Sequence, residues 1–172
     1  MNNARRYQRA LTIEQRKGAE LNKWNMYRSE TTIRVRYGET DQMGYVYYGF
    51  YAMYYEVGRV ESLRQLGLTY KEIESMGIIM PVMENRSWFL APARYDENLR
   101  IVTTLREKPG VKIKFEYEIF NEENILIHKG ETLLVFVDQK TNKVCRPPQA
   151  IQEVLQPYFT WSSSTKDLFF NG

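Results

Sequence analysis

The feature that most constrains the fold is one long helical pattern in a chain that is otherwise rich in strand patterns. Residues 50–66 contain no proline, and their apolar side chains recur at three- and four-residue steps, as on one face of a helix. The recurring residues are Met53, Val57, Val60 and Leu63. Gly67 is placed to end this helix. Gly58, in its middle, should cost about 1 kcal/mol relative to alanine, and close packing of the helix on a sheet would explain that cost.

Strand patterns flank this helix on both sides. Residues 31–37 alternate between apolar and polar side chains before it, the period of a half-exposed strand. Four further segments after Gly77 have strand character, namely residues 78–92, 99–106, 111–120 and 125–137. Gly130 is a possible bulge in the last of them. Short turns such as Pro109-Gly110 imply antiparallel pairing. The expected architecture is α+β, with a sheet of about five strands curled around the helix.

Two shorter helices complete the pattern. Thr69 is a candidate N-cap, because Glu72 lies three residues further on and completes a capping box. Gly77 is placed to end this second helix. The pair Pro147-Pro148 leads into a third helix over residues 149–156.

The N-terminal 28 residues differ in charge from the rest of the chain. They carry seven Lys or Arg and two Glu, whereas the remaining residues carry 17 basic and 19 acidic side chains. We therefore predict a basic extension over residues 1–28, with a short helix at 7–23, one domain over 29–160, and a tail over 161–172. Two interpretations of the extension stay open: an incidental segment upstream of a start at Met26, or a small arm that binds within an oligomer.

Charge, hydropathy and cysteine usage exclude several functional classes. A nearly neutral domain gives little support for a nucleic-acid surface. No apolar run reaches the roughly 18 residues that a membrane span needs. The single Cys145 cannot form an internal disulfide, which fits a reducing compartment. We expect a cytoplasmic protein that binds neither nucleic acid nor membrane.

Most catalytic constellations are also missing. One histidine, His128, and one cysteine cannot build a thiolate and imidazole metal cage. His128 falls inside a predicted strand, where we expect a hydrogen-bonded or solvent-facing residue. The sequence has no GxSxG elbow, no phosphate-binding GxxxxGK[ST] loop and no GxGxxG loop. A site of carboxylates that binds Mg²⁺ stays possible, although no acidic cluster stands out.

The remaining candidate is Asp41, which precedes Gly44 in a loop that leads into the long helix. A helix start presents unpaired N–H groups and a partial positive charge, here from about Tyr47 to Phe50. Such groups can polarise a carbonyl, and a nearby carboxylate can act as base or nucleophile. Together they would make an acyl-transfer site suited to a thioester. The alternative from spacing alone is that Asp41 caps a turn and the tyrosines pack the core.

The segment YGETDQMGYVYYGFYAMYYEVGRVESLRQLG, residues 37–67, resembles acyl-CoA thioesterases of the 4-hydroxybenzoyl-CoA thioesterase type, which have the hotdog fold. The motif positions are Tyr37, Glu39-Thr40-Asp41, Gly44, Val46-Tyr47-Tyr48, Tyr51, Tyr55-Glu56 and Arg59-Val60-Glu61. The likeness extends over about residues 31–150. One departure is Phe50, which stands where the family usually has asparagine.

The resemblance implies a long central helix wrapped by a curved antiparallel sheet, with active sites at the interface of a homodimer that often pairs into a homotetramer. It implies that Asp41 is the catalytic carboxylate and that the N–H of Tyr48 polarises the thioester carbonyl. The candidate substrate-binding residues are Gly44, Val46, Tyr47 and Tyr51. The activity that the resemblance implies is hydrolysis of an acyl-CoA to a free acid and coenzyme A, with no metal and no cofactor needed. Two alternatives stay open: an acyl-CoA-binding protein without catalysis, which Phe50 favours, and a thioesterase for acyl carrier protein.

Overall fold

The computed structural model describes residues 26–159. The predicted extension up to residue 25, including the helix at 7–23, and the tail from residue 160 lie outside these residues. The strands are β1 (Tyr27–Arg34), β2 (Ile78–Ile79), β3 (Val82–Phe89), β4 (Asn98–Leu105), β5 (Lys112–Phe120), β6 (Leu126–Val135), β7 (Val137–Asp138) and β8 (Lys143–Val144). The helices are α1 (Tyr51–Gln65), α2 (Tyr70–Ser75) and α3 (Gln149–Phe159), and two 3₁₀ turns occupy Tyr37–Glu39 and Tyr48–Phe50.

Five strands form one antiparallel sheet in the order β1-β4-β5-β6-β3. The long helix α1 packs against one face of it and contacts β1, β4 and β5. A second sheet has the order β2-β7-β8. This arrangement confirms the predicted α+β class with a central helix and a five-stranded sheet.

Close contact between α1 and the sheet explains the mid-helix glycine. A Cβ atom on Gly58 would lie 2.7 Å from Oγ1 of Thr103 and 3.1 Å from Cγ2 of Ile101. Both residues belong to β4, so the missing side chain lets the helix backbone approach the sheet. The prediction made from the helical pattern is confirmed here, as is the end of the helix at Gly67, which has a φ of +83°.

Strand β5 has the clearest alternation. Its inward side chains, Ile113, Phe115, Tyr117 and Ile119, are all buried. Charged side chains on the outer face form ion pairs, such as that between Lys114 and Glu131 at 3.0 Å. Alternation of apolar and charged residues therefore specifies which face covers the core.

The first strand begins before the domain boundary that the sequence predicts at residue 29. Tyr27 is buried at the start of β1. Its hydroxyl donates to the Ser62 carbonyl at 2.7 Å, and its ring packs edge-on against Tyr158 with centroids 4.8 Å apart. Tyr27 thus joins β1 to α1 and α3.

The capping box of α2 is confirmed. The Glu72 N–H donates to Oγ1 of Thr69 at 3.3 Å. In return, the Thr69 N–H donates to a carboxylate oxygen of Glu72 at 2.7 Å. Gly77 follows the helix with a φ of +80°, which the left-handed region allows for glycine.

Four expectations about the strands are wrong. The segment 78–92 is not one strand, because Pro81 separates β2 from β3 and the two belong to different sheets. The segment 125–137 also divides, between β6 and β7. The alternation expected over residues 31–37 also ends early. Tyr37 is 79% exposed, because the chain has left β1 and entered a 3₁₀ turn.

Gly130 is not a bulge, and this is the fourth correction. It pairs in regular register with Ser87 of β3 and Tyr117 of β5. A Cβ atom at this position would lie 2.2 Å from Cζ of Tyr55. The glycine is therefore required by a tyrosine ring that crosses the strand, not by the backbone of the strand.

Candidate active site

The loop that joins β1 to α1 closes on itself through main-chain hydrogen bonds. We call residues 39–47 the Asp41 loop. The Tyr47 N–H donates to the Glu39 carbonyl, and the Asp41 N–H donates to the Tyr45 carbonyl, both at 2.9 Å. Gly44 donates to the Asp41 carbonyl at 2.9 Å and has a φ of +74°, a conformation that favours glycine. These main-chain hydrogen bonds and the glycine hold Asp41 in a small closed loop.

Glu39 anchors this loop to α1. Its carboxylate is 2% exposed. It accepts hydrogen bonds from the Arg36 N–H at 2.8 Å and from the Tyr54 hydroxyl at 2.8 Å. The Arg36 guanidinium forms an ion pair with it at 2.5 Å. Burial alone would raise the pKa of Glu39, but the hydrogen bonds from Arg36 and Tyr54 outweigh burial and lower it.

The two carboxylate oxygens of Asp41 differ in their surroundings. Its Oδ1 accepts the Met43 N–H at 2.8 Å, so it forms the Asx turn that the sequence left open. The side chain is half-exposed, and its other oxygen has no hydrogen-bond partner within residues 26–159. The pKa of Tyr47 is raised, first by its hydrogen bond with the Tyr48 hydroxyl and to a smaller extent by the negative charge of Asp41. The Asp41 carboxylate therefore acts electrostatically on the Tyr47 side chain, which precedes the helix.

The 3₁₀ turn Tyr48–Phe50 presents two free amides. The expected donor set extends from Tyr47 to Phe50, but the Tyr47 N–H is used by Glu39, and the Phe50 N–H donates to the Tyr47 carbonyl at 3.0 Å. The N–H groups of Tyr48 and Gly49 have no carbonyl acceptor in the described part of the chain. They stand at the start of a turn that continues into the 15 residues of α1, where the aligned peptide dipoles favour negative charge.

The candidate substrate-binding side chains separate into two groups. Tyr47 and Tyr48 are 42% and 65% exposed and pack together with ring centroids 4.4 Å apart. Val46 and Tyr51 are 6% and 3% exposed, so both belong to the core and their side chains line no surface of this chain. Their predicted contact with substrate stays a prediction. Their burial supports, for these two residues, the alternative that aromatic and apolar residues of the segment pack the core.

Phe50 supplies no polar group to the site. It is half-buried, packs against the core and lies edge-on to the ring of Tyr47 with centroids 6.4 Å apart. The backbone of Phe50 occupies the N-cap position of α1, with no side-chain hydrogen bond to the helix. The first turn of α1 is therefore held by aromatic packing instead of a capping side chain.

A buried polar cluster beside the site was not predicted as functional. His128 is fully buried, and its Nε2 forms a hydrogen bond with the Tyr55 hydroxyl. The same hydroxyl bonds to Oγ of Ser87 at 2.7 Å. The sequence holds a faint signal for this cluster: a lone histidine in a strand two residues before a glycine. Periodicity alone does not connect these residues to Ser87.

Two kinds of site are not found. No group of three or more His, Cys, Asp or Glu side chains in residues 26–159 is arranged to hold a metal ion. Among the helices in that range, none has both the length and the apolar character that a membrane crossing requires.

Comparisons with known proteins agree with the fold. The acyl-CoA thioester hydrolase YbgC of Escherichia coli O6:H1 is 33% identical over 119 residues, which cover 69% of this chain and 89% of that protein. The chloroplastic acyl-acyl carrier protein thioesterase ATL3 of Arabidopsis thaliana is 32% identical over 126 residues, covering 72% of this chain and 65% of that protein.

The solved structure of a DHNA-CoA thioesterase from Staphylococcus aureus has a TM-score of 0.71 and 33% identity, covering 76% of this chain and 88% of that one. A family model described as the thioesterase-like superfamily matches residues 35–155. That range holds the Asp41 loop, the whole of α1 and every strand after it. The chain belongs to the thioesterase-like superfamily.

Proposed function

We propose that this protein hydrolyses acyl-CoA thioesters to a free acid and coenzyme A, with Asp41 as the catalytic carboxylate and the Tyr48 amide as the carbonyl donor. The observation that carries the proposal is that the Asp41 loop, with one free carboxylate oxygen, leads directly into a turn whose Tyr48 and Gly49 amides have no acceptor among the described residues. Thioester hydrolysis is also the activity in the names of the relatives described above.

The amides act on the carbonyl. A thioester oxygen that accepts the Tyr48 N–H gains negative charge as the carbonyl carbon is attacked. The Gly49 N–H and the dipole of α1 stabilise the same charge, and the effect is strongest where water is excluded. Removal of one such donor typically costs a hundredfold or more in turnover, about 3 kcal/mol. Tyr48 therefore contributes through its backbone, and its side chain can vary.

Asp41 acts on the nucleophile in one of two ways. As a base, it takes a proton from water while the water oxygen bonds to the carbonyl carbon. The C–S bond then breaks, and the thiolate of coenzyme A takes that proton. As a nucleophile, Asp41 bonds to the carbonyl carbon directly and expels the thiolate, and water then hydrolyses the resulting anhydride. Both routes need the same carboxylate oxygen, so the proposal covers both.

Asp41→Asn tests the assignment. The amide preserves shape and can still accept the Met43 N–H, but it is neither a base nor a nucleophile. We expect thiol release from a panel of acyl-CoAs to fall at least about a hundredfold, while the melting temperature changes little. The matched control is Asp96→Asn, because Asp96 is an exposed aspartate on a neighbouring loop. Full turnover by the Asp41 variant would remove Asp41 from the mechanism.

A second candidate substrate is an acyl group carried on acyl carrier protein. The likeness to the carrier-protein thioesterase of Arabidopsis favours it. The two substrates share the thioester and differ in the carrier of the thiol, which is coenzyme A in one and acyl carrier protein in the other. A higher kcat/KM for the carrier-linked form of one acyl group than for its CoA form would establish this alternative.

We further propose that the active unit is at least a homodimer joined at β3, in a cytoplasmic location. All eight residues of β3 are exposed, and within residues 26–159 only one of its edges pairs, with β6. Trp88 and Phe89 are 46% and 53% exposed on this strand. A free, apolar edge is a template for pairing with another chain. Trp88 pairs with Lys129 of β6, so the fold should tolerate the acidic side chain of Trp88→Glu. We expect this variant to shift toward the monomer in sedimentation experiments.

A further inference from the structure

A chain of hydrogen bonds leads from the buried histidine to the surface of the edge strand. His128 lies on β6, Tyr55 on α1 and Ser87 on β3. The Tyr55 hydroxyl contacts both His128 Nε2 and Ser87 Oγ. His128 and Tyr55 are completely buried, whereas Ser87 is exposed. Two buried residues therefore fix the position of one accessible hydroxyl.

Packing holds the two buried members rigidly. The ring of Tyr55 stacks on Tyr117 with centroids 4.6 Å apart and planes 10° apart, and it lies directly over Gly130. The His128 ring stacks on Tyr51 at 4.0 Å and meets Phe89 edge-on at 4.8 Å. Side chains locked in this way lose little freedom when they bind a ligand, which favours selective contacts.

The direction of the hydrogen bonds follows from the buried imidazole. Nδ1 of His128 is buried and has no partner within residues 26–159. An orphaned N–H donor is rarer in protein interiors than an unused acceptor, so we assign the proton to Nε2. Burial lowers the pKa of His128 to about 4, which keeps the ring neutral at pH 7. Burial also raises the pKa of Tyr55 to about 12, so its hydroxyl keeps a proton to donate.

This assignment leaves one free donor. Nε2–H donates to the Tyr55 oxygen, and the Tyr55 hydroxyl donates to the Ser87 oxygen. The Ser87 hydroxyl forms no other hydrogen bond with the described residues. With this assignment, the Ser87 proton has no acceptor among those residues and is available to a ligand beside β3.

Ser87 lies along the path of an acyl group that extends from the helix start. Phe89 contacts Tyr51 at the first turn of α1, and Ser87 contacts Tyr55 at the next turn, so β3 runs alongside the helix. The seven residues from Tyr48 to Tyr55 correspond to about 10 Å along a helix axis. The exposed ring of Phe89 lies between these two points and offers an apolar surface.

We infer that Ser87 is a specificity-determining residue, whose hydroxyl donates a hydrogen bond to an oxygen at the far end of the acyl group. The inference rests on the proposed function, because it takes the thioester carbonyl to lie at the Tyr48 amide. With a hydrogen bond of roughly 3 Å at each end, the oxygen must stand several bonds from the carbonyl, as on a para-substituted ring or at the end of a chain. Tyr55 and His128 are positioning residues for this contact.

Isosteric substrate pairs test the donor directly. The first pair is 4-methoxybenzoyl-CoA and 4-ethylbenzoyl-CoA, and the second is 5-methoxypentanoyl-CoA and heptanoyl-CoA. Each pair exchanges an acceptor oxygen for a CH₂ group of similar size. We expect the wild-type protein to prefer the oxygen-containing member of at least one pair in kcat/KM. A net hydrogen bond corresponds to about three- to tenfold, and Ser87→Ala should bring that ratio close to one.

Three controls complete the design. Ser75→Ala makes the same chemical change on α2, beyond the end of α1, where the Ser75 hydroxyl donates to the Glu72 carbonyl. This variant should keep the wild-type ratio. Tyr55→Phe breaks the chain between His128 and Ser87, and it should reduce the ratio by a smaller factor than Ser87→Ala. The same pairs are titrated into an Asp41→Asn background, so that binding is measured apart from turnover.

The outcomes separate the inference from the proposed function. Suppose that acyl-CoAs are hydrolysed. If the wild-type protein then shows no preference in either pair, or if Ser87→Ala leaves the preference intact, the role of Ser87 is overturned and the proposed function stands. If no acyl-CoA is hydrolysed but Ser87→Ala abolishes a preference in binding, the proposed function fails and the role of Ser87 stands. If no acyl-CoA is bound or hydrolysed, both are overturned.

Discussion

The Tyr54 hydroxyl donates a hydrogen bond of 2.8 Å to the buried carboxylate of Glu39 and so ties the Asp41 loop to the second turn of the long helix. The two residues are 15 positions apart in the sequence. The loop that carries Asp41 and the helix that carries the amide donors are thereby held as one unit. The geometry of the proposed site therefore depends on a carboxylate to which the proposed mechanism assigns no chemical step.

Glu39→Gln should destabilise the protein at neutral pH. The lowered pKa of Glu39 means that its charged form stabilises the folded state, and this contribution is lost as the pH falls through the acidic range in which carboxylates titrate. We expect a loss of about 1–3 kcal/mol at pH 7 and a smaller difference between variant and wild type at pH 3. Urea unfolding at both pH values measures this, and an equal difference at the two values would contradict it.

His128→Phe should make the free energy of unfolding depend less on pH between pH 6.5 and 4. Burial lowers the pKa of His128 to about 4 in the folded state, while the unfolded chain binds the proton near pH 6.5. The unfolded state therefore gains protons first as the pH falls from 6.5 to 4, and about 3 kcal/mol of stability is lost over that window. Phenylalanine keeps the stack on Tyr51 but does not titrate. Parallel slopes for variant and wild type between pH 6.5 and 4 would refute this reasoning.

Gly44→Ala should affect turnover more than folding. The φ of +74° at Gly44 costs an alanine about 1–2 kcal/mol, and the loop can relieve this strain by shifting Asp41. We expect kcat to fall at least about tenfold, since small displacements of reacting groups are costly, with a modest decrease in melting temperature. Gly38→Ala is the control, because a Cβ there meets no atom within 4 Å and its φ is not positive. Similar kcat values for the two variants would mean that the turn at Gly44 does not position Asp41.

Gly130→Ala should disrupt the cluster around Tyr55. A Cβ atom at this position lies 2.2 Å from Cζ of Tyr55 and 2.3 Å from its hydroxyl oxygen, so the ring must move away from His128 and Ser87. Overpacking of this kind typically costs about 1–3 kcal/mol. Gly110→Ala, in a turn where a Cβ would meet nothing within 4 Å, should cost far less. Thermal unfolding measures the stability of both variants. Equal melting temperatures would mean that the Tyr55 ring does not lie over Gly130 in solution.

The sequence predicted those elements whose cause is local. The capping box of Thr69 and Glu72, the end of α1 at Gly67 and the alternation along β5 each depend on residues a few positions apart. The close approach at Gly58 was also predictable, because a glycine inside a helix calls for a packing reason. The α+β class follows from these elements together.

The errors arose where distant residues decide the outcome. Gly130 resembles a bulge in sequence, but its cause is Tyr55, 75 positions away in the chain. The sequence also does not report that tertiary packing buries Val46 and Tyr51, which lie in one motif with the exposed Tyr47 and Tyr48. The Glu39 anchor and the contact between Tyr55 and Ser87 join separate elements, and no periodicity reports such a contact. In the candidate site, Asp41 and the turn at Tyr48 were proposed from the sequence, and their roles stay predictions, while the contacts that hold the loop in place were not predicted.

If copies join at β3 as proposed, the side of this strand that is unpaired within residues 26–159 links the behaviour of the protein to its concentration. Open N–H and C=O groups on a strand edge, beside the exposed Trp88 and Phe89, can pair with other extended segments. Dilution that separates copies would uncover this edge, and partly unfolded neighbours would then compete for it. Loss of activity at low concentration and a tendency to aggregate on heating would therefore share one origin.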